Sequence, residues 1–192
     1  MPGGNFWYNK LMLKIITVPA AILHKKSTPI KKIDQEITTL AKKMIDVIRH
    51  GSEDQRIGVG LSAVQVGHPL RLLVVYDPEP QTNLILVNPK ITWRSAKMTQ
   101  GLDHRNFPYE GCLSVPQIFG LVKRHQAIKA HWQDLAGKIH AEKFSGFVAT
   151  VIQHEEDHLN GILFTQRVLE QQGQLYRLEP TNNQDVLIPI KL

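Results

Sequence analysis

The stretch Gly146-Phe147-Val148-Ala149-Thr150-Val151-Ile152-Gln153-His154-Glu155-Glu156-Asp157-His158-Leu159 decides how this chain is read. Its apolar residues recur at helical spacing, and Gly161 is placed to stop the helix two residues beyond Leu159. At about 3.6 residues per turn, four positions advance the face by only about 40°. His154 and His158 therefore project from one side, one turn apart, at a separation suited to two ligands of one metal ion. Phe147 and Val151 continue that face. Glu155 leans to its flank, within reach of a water on such an ion without ligating it. A solvated helix that happens to carry two histidines is the competing reading, and residues elsewhere must choose.

Two histidines leave a tetrahedral ion one protein ligand short. Zinc proteases take it downstream, and His158-x-x-Gly161 matches the start of their extended pattern. Phe164 stands where their third histidine would be, and no histidine follows His158. Glu170 and Glu179 remain downstream, with Glu179 directly before Pro180. Upstream stands Cys112, a soft ligand once ionised. Residue type alone leaves the choice open, because a sole cysteine is more often a small buried apolar residue.

The 192-residue chain is long enough to bury a substantial core and is expected to form one domain over 1–192. A single cysteine excludes an intrachain disulfide framework and fits a reducing compartment. The net charge of +6 suits work near an anionic surface such as RNA, although no nucleic-acid motif sharpens that. No apolar run approaches the roughly 18 residues of a membrane span. Leu11–Leu23 is interrupted by Lys14 and Pro19 and reads as a strand over Lys14–Val18 followed by a turn. The opening, 1–13, reads as a loose extension.

Ile33, Ile37, Leu40, Met44, Ile45 and Ile48 mark an amphipathic helix capped by Asp34 and ended by Gly51. Gly58-x-Gly60-x-x-Ala63 formally satisfies the dinucleotide fingerprint, but charged residues precede it and Asp77 comes too early, so that reading is rejected. The glycines instead allow close approach of another backbone, and Gln65 offers two amide donors. Leu70–Tyr76 and Leu84–Val87 read as strands, 97–109 as loop, and Leu121–Trp132 with Lys138–Phe144 as a hairpin turning at Asp134–Gly137. The tail, 170–192, ends in a possible edge strand at Val186–Ile190, where Pro189 is tolerable.

Gly58-Val59-Gly60-Leu61-Ser62-Ala63-Val64-Gln65, Glu110-Gly111-Cys112-Leu113-Ser114 and Gln153-His154-Glu155-Glu156-Asp157-His158 resemble, in order and spacing, the three signature motifs of peptide deformylases. Ile16–Pro19 and Val87-Asn88-Pro89 also look like family segments. The resemblance implies an α+β fold, with antiparallel sheets packed around a central helix carrying the His-Glu-x-x-His motif. It implies removal of the formyl group from the N-terminal formylmethionine of new polypeptides. Carried onto matching positions, Cys112, His154 and His158 hold one divalent metal ion. Fe²⁺ is the expected ion, and Zn²⁺, Ni²⁺ or Co²⁺ could also occupy the site. Such an ion lowers the pKa of its water toward neutrality and gives a hydroxide nucleophile. The Gln65 side chain and the Leu113 N–H form the oxyanion hole, and Glu155 is the general acid/base. The backbone at Val59 and Gly60 pairs with the substrate, Phe147 and Val151 help form the methionine pocket, and Asp157 orients a ligand histidine.

Two departures stand out. Val64 replaces the usual Pro or small residue before Gln65, which leaves the donor in place. Phe119 occupies a position where many members carry an Arg that grips the peptide beyond methionine, so apolar residues are expected there instead. The implied partners are formyl-Met nascent chains, with transient ribosome contact. No membrane is expected, a monomer is the default, and an amino-terminal extension without the Arg/Ser-rich character of a transit peptide favours bacterial cytoplasm over an organelle. Two rivals remain: a general metalloprotease, which needs a third ligand other than Cys112, and a non-catalytic metal-bearing protein docking at the ribosome.

Overall fold

The computed structural model describes residues 13–51, 57–77, 79–101, 108–180 and 185–191. Among these residues, eleven strands and three α-helices run, in chain order, as α1 (Gln35–His50), β1 (Gly60–Ser62), β2 (Leu72–Asp77), β3 (Thr82–Arg94) and β4 (Met98–Gln100), then β5 (Glu110–Cys112), β6 (Val115–Gly120), β7 (Lys123–His125), β8 (Ala127–Gln133) and β9 (Ile139–Ser145), and finally α2 (Gly146–Leu159), α3 (Phe164–Glu170), β10 (Leu175–Pro180) and β11 (Asp185–Pro189). They form a five-stranded sheet in the order β1-β2-β3-β8-β9, a four-stranded sheet β11-β10-β6-β5 and a β4-β7 pair. Every pairing between strands is antiparallel. The fold class is therefore α+β.

Side-chain alternation explains how the five-stranded sheet carries a helix on each face. Leu72, Val74 and Val87 point to one side and pack with Leu40, Met44 and Val47 of α1. Leu73, Val75, Leu86, Ile128 and Trp132 point to the other and pack with Val148, Val151 and Ile152 of α2. A third cluster, around Leu23, Val115, Phe164 and Val168, joins α3 to the four-stranded sheet. Cys112 packs against that third cluster, so α2 and the cysteine belong to different layers that meet at the site.

Local chemistry accounts for the helix ends. Asp34 caps α1, its carboxylate accepting from the N–H groups of Glu36 and Ile37 at 3.1 Å each. Beyond α2, Gly161 takes φ 74°, the left-handed conformation that closes a helix C-terminus. The hairpin at Asp134–Gly137 is present, with Asp134 accepting from Ala136 N and Lys138 N.

Several expectations are corrected. Residues 14–18 form no strand: Ile16 N–H goes to Gln65 O and Val18 N–H to Ser114 O, two partners far apart in the chain and not on one strand. Leu13, assigned to the loose extension, packs against the first core cluster; the rest of 1–13 lies outside the described residues. The strand expected to end at Val87 continues to Arg94 through a bulge at Asn88-Pro89. Asn88 sits at φ 52° there, and its amide bonds Ile30 N and O at 2.8 Å each, which anchors the bulge without ending the strand. The stretch read as loop contains β4, which pairs with β7, so only 127–132 of the first expected hairpin arm, which ran from Leu121 to Trp132, pairs with β9. The tail carries β10 beside the edge strand β11.

Candidate metal centre

Three side chains from two layers converge. Cys112 lies at the end of β5, and His154 and His158 lie one turn apart on α2. Their donor atoms all fall within 4.8 Å of one another. Cys112 Sγ is 3.1 Å from His158 Nε2. The two imidazole rings stand edge to face, centroids 5.1 Å apart. Phe164, at the position of the proteases' third histidine, is buried and stacks on the His154 ring at 6.0 Å. It supports His154 rather than supplying a donor of its own. Glu170 is instead exposed and paired to Arg167, and Glu179 lies on β10.

The His154 tautomer follows from its neighbour. Nδ1 lies 2.9 Å from Glu110 Oε2, and a carboxylate there requires a proton on Nδ1, so Nε2, on the Cys112 side, is the nitrogen that would give up its proton to an ion. A thiolate and two imidazoles form a donor set suited to a divalent first-row ion, so the residues present fit a metal of that kind.

Glu110 was not singled out in the sequence, yet it is the hinge of this arrangement. It is 1% exposed. Arg124 donates to it twice, from Nε at 2.6 Å and Nη2 at 2.9 Å. Burial by itself would raise the Glu110 pKa; the Arg124 charge and the bonds from His154 and Arg124 outweigh it and hold it at about 2. Arg124 Nη1 donates in turn to Asp157 Oδ2 at 2.9 Å, and Arg167 holds the other Asp157 oxygen at 2.7 Å. Asp157 therefore touches two arginines and not a ligand histidine, contrary to the role expected for it. Burial opposes protonation of His154, but its bonds to Cys112 and Glu110 raise it well above the ordinary imidazole range. Burial, reinforced by the nearby His154 charge, pushes His158 well below that range.

Beside these three side chains lies a cavity of about 440 Å³, lined among others by Gly60, Gln65, Leu113, Val151, His154 and Glu155. Val59 lines it too, as does Phe119. Phe147 does not: it sits two turns before His154, where it packs against the α2-side core, and Thr150 takes the cavity position instead. Glu155 is 3% exposed, and burial pushes its pKa up to about 7. Ser62 Oγ lies 2.9 Å from Glu155 Oε2 and 2.9 Å from its main-chain oxygen. Gln65 is clamped: its Oε1 accepts from Ser62 N–H at 2.8 Å, which turns Nε2 toward Ser114 Oγ at 3.2 Å and Cys112 Sγ at 3.5 Å. Two edge strands border this space, β1 with Gly60 and β5 with Cys112.

Set beside known proteins, residues 12–174 match the polypeptide deformylase family model. The chain belongs to the polypeptide deformylase family. It is therefore related to hydrolases that take the formyl group from new polypeptides. It is 36% identical to a peptide deformylase of Novosphingobium aromaticivorans over 79% of this chain and 86% of that one. The crystal structure of the Thermotoga maritima peptide deformylase superposes with a TM-score of 0.72 at 32% identity, covering 81% of this chain and 97% of that one. A class I type b enzyme from Acinetobacter baumannii, solved with Met-Ala-Ser bound, gives a TM-score of 0.71 at 32% identity, over 81% and 98% of the two chains. Among the described residues no helix is long and apolar enough to cross a membrane.

Gly60 meets a steric requirement of this deformylase fold. A Cβ built there falls 2.5 Å from Glu155 Oε1 and 2.7 Å from Val151 Cγ1. Gly60→Ala is expected to displace the Glu155 carboxylate and lower kcat/KM by at least about tenfold, with a smaller loss in thermal stability. Wild-type kinetics for this variant would show that the contact carries no function.

Proposed function

We propose that this chain deformylates the N-terminal formylmethionine of nascent polypeptides in bacterial cytoplasm, with one divalent ion, Fe²⁺ in the cell, held by Cys112, His154 and His158. The observation that carries this reading is the convergence of those three donor atoms within 4.8 Å beside Glu155 and Gln65. A divalent ion bound there supplies Lewis acidity, polarising the formyl carbonyl and lowering the pKa of water.

The protein's own groups supply the rest. Substrate main chain can lie extended between the edge strands β1 and β5, adding to the sheet through the Val59-Gly60 backbone. Val151 and Thr150 then border the methionine side chain. As the formyl carbon becomes tetrahedral, negative charge gathers on its oxygen. Gln65 Nε2, already fixed by Ser62, and the Leu113 N–H are the donors assigned to that oxygen, each worth about 3–4 kcal/mol in the transition state. Glu155 accepts the proton from the attacking water and returns it to the leaving nitrogen. Its pKa of about 7 suits both halves of that task near neutral pH. Ser62 can follow it, donating to Oε2 when Glu155 is ionised and to the main-chain oxygen when it is protonated.

The Met-Ala-Ser complex of the A. baumannii enzyme supports the choice of assay. Anaerobically prepared, metal-loaded protein should release formate from formyl-Met-Ala-Ser; no formate would end the proposal. A metalloprotease would retain metal and activity in Cys112→Ala, which this reading expects to lose both. Phe119 borders the cavity and lies against Gly111, where a built Cβ would come 2.6 Å from its ring. Peptides with apolar residues after methionine are expected to show several-fold higher kcat/KM than acidic ones; equal values would contradict a specificity role for Phe119.

A further inference from the structure

We infer that the uncovered half of the five-stranded sheet is a docking face for single-stranded RNA. Helix α1 covers β1, β2 and the near part of β3 on its face of the sheet. The register places the remaining residues of that face. Trp93, Lys129 and Lys143 form one row across β3, β8 and β9, and Lys90, His131 and Ala141 form the next. All six are exposed, Trp93 by 43%. Residues of the opposite face (Ile91, Ala130, Ile128) pack under α2 instead.

This face is built against its own stability. Lys129 and Lys143 sit directly opposite each other on adjacent strands, a like-charge pairing that costs free energy in an isolated sheet. None of the three ammonium groups has a carboxylate partner among the described residues. Glu142, the nearest acid in sequence, pairs in register with Ala130 and lies toward His140, on the α2 side. Lys143 reaches across the middle strand to place Nζ 5.8 Å from the Trp93 ring centre.

A polyanion relieves the repulsion, and the rest of the geometry selects which kind. Strands about 4.8 Å apart and rows about 7 Å apart spread the cations over roughly 10 Å, a repeat suited to successive phosphates rather than one small anion. Trp93, flat and exposed among them, is a stacking platform for an unpaired base. The net charge of +6 favours the encounter. This inference stands apart from the deformylase reading, because its test measures binding and not turnover.

Fluorescence anisotropy with a labelled 20-nucleotide uridine RNA tests it, using the full chain. About three phosphate contacts predict affinity falling about 15- to 20-fold between 50 and 200 mM KCl. The double variant Lys129→Gln/Lys143→Gln should bind at least tenfold more weakly at 50 mM and keep only about a threefold salt dependence. Lys25→Gln/Lys26→Gln, which removes the same charge elsewhere, should stay within threefold of wild type. Trp93→Leu should weaken binding fivefold or more, and Trp93→Phe should restore most of it. Formate release and melting temperature, measured in parallel, report that the variants are folded. No RNA binding at 50 mM, equal losses in the two lysine pairs, or binding through Lys129 and Lys143 to phosphatidylserine vesicles but not RNA would each overturn the inference.

Discussion

Glu155→Gln is expected to lower kcat by about 10²–10⁴ while the protein keeps its full complement of metal. That range corresponds to about 3–5.5 kcal/mol of lost transition-state stabilisation. The amide has the shape of the carboxylate and can still meet Ser62, but it cannot carry a proton. None of the three candidate metal ligands is altered. Stability should not fall, because a carboxylate buried to 3% exposure without an arginine of its own is costly to ionise, and a neutral amide removes that cost. Three measurements separate the outcomes: kcat with formyl-Met-Ala-Ser, metal per chain by elemental analysis, and the unfolding midpoint. Activity within tenfold of wild type would remove Glu155 from proton transfer. Activity lost in proportion to metal would make it a support for the ligands instead.

The sequence spoke most clearly where one helix had to satisfy two patterns at once. The bounds of α2, its left-handed stop at Gly161 and the placing of His154 and His158 all followed from spacing, because a 14-residue helix repeats its face several times. The periodic stripe of α1 and the alternation of β8 and β9 were legible for the same reason. Helix α3, seven residues from Phe164 to Glu170, is too short to show a period, and β4 and β7 are three residues each. The residues over 14–18 read as a strand because four of the five are β-branched, but the N–H groups of Ile16 and Val18 are divided between Gln65 and Ser114. At the site, Glu110 was within reach of sequence reasoning, since it is the one charged residue of the short motif that carries Cys112. Arg124 was not, since nothing in Lys123-Arg124-His125 distinguishes it from twenty-two other basic residues until β7 brings it against Glu110. The same holds for the Trp93 row, whose cations become neighbours only through the register of three strands.

That buried arginine carries the second large expectation. Arg124→Met should cost about 3–5 kcal/mol of stability, or a fall of roughly 6–20 °C in Tm for a chain of this size. The methionine fills the volume but leaves Glu110 and Asp157, 1% and 8% exposed, without the cation between them. Asp157 keeps Arg167, whereas Glu110 keeps only His154. A carboxylate so placed must take up a proton or pull in water, and either change loosens its hold on His154 Nδ1. Metal affinity should therefore drop about 10–100-fold, the usual consequence of losing a partner behind a ligand histidine. Arg124→Lys should fall between, because the donors of one ammonium radiate from a single nitrogen and cannot span both carboxylates as the Nε, Nη1 and Nη2 fork does. Adding Glu110→Gln to Arg124→Met should cost less than the sum of the two changes, since the second removes the charge the first left unpaired. Competition with a chelator reads the affinity, and denaturant unfolding reads the stability. If Arg124→Met lies within 1 kcal/mol of wild type and binds metal equally well, the string from His154 through Glu110 and Arg124 to Asp157 is not what holds β5 and α2 in register around the ion.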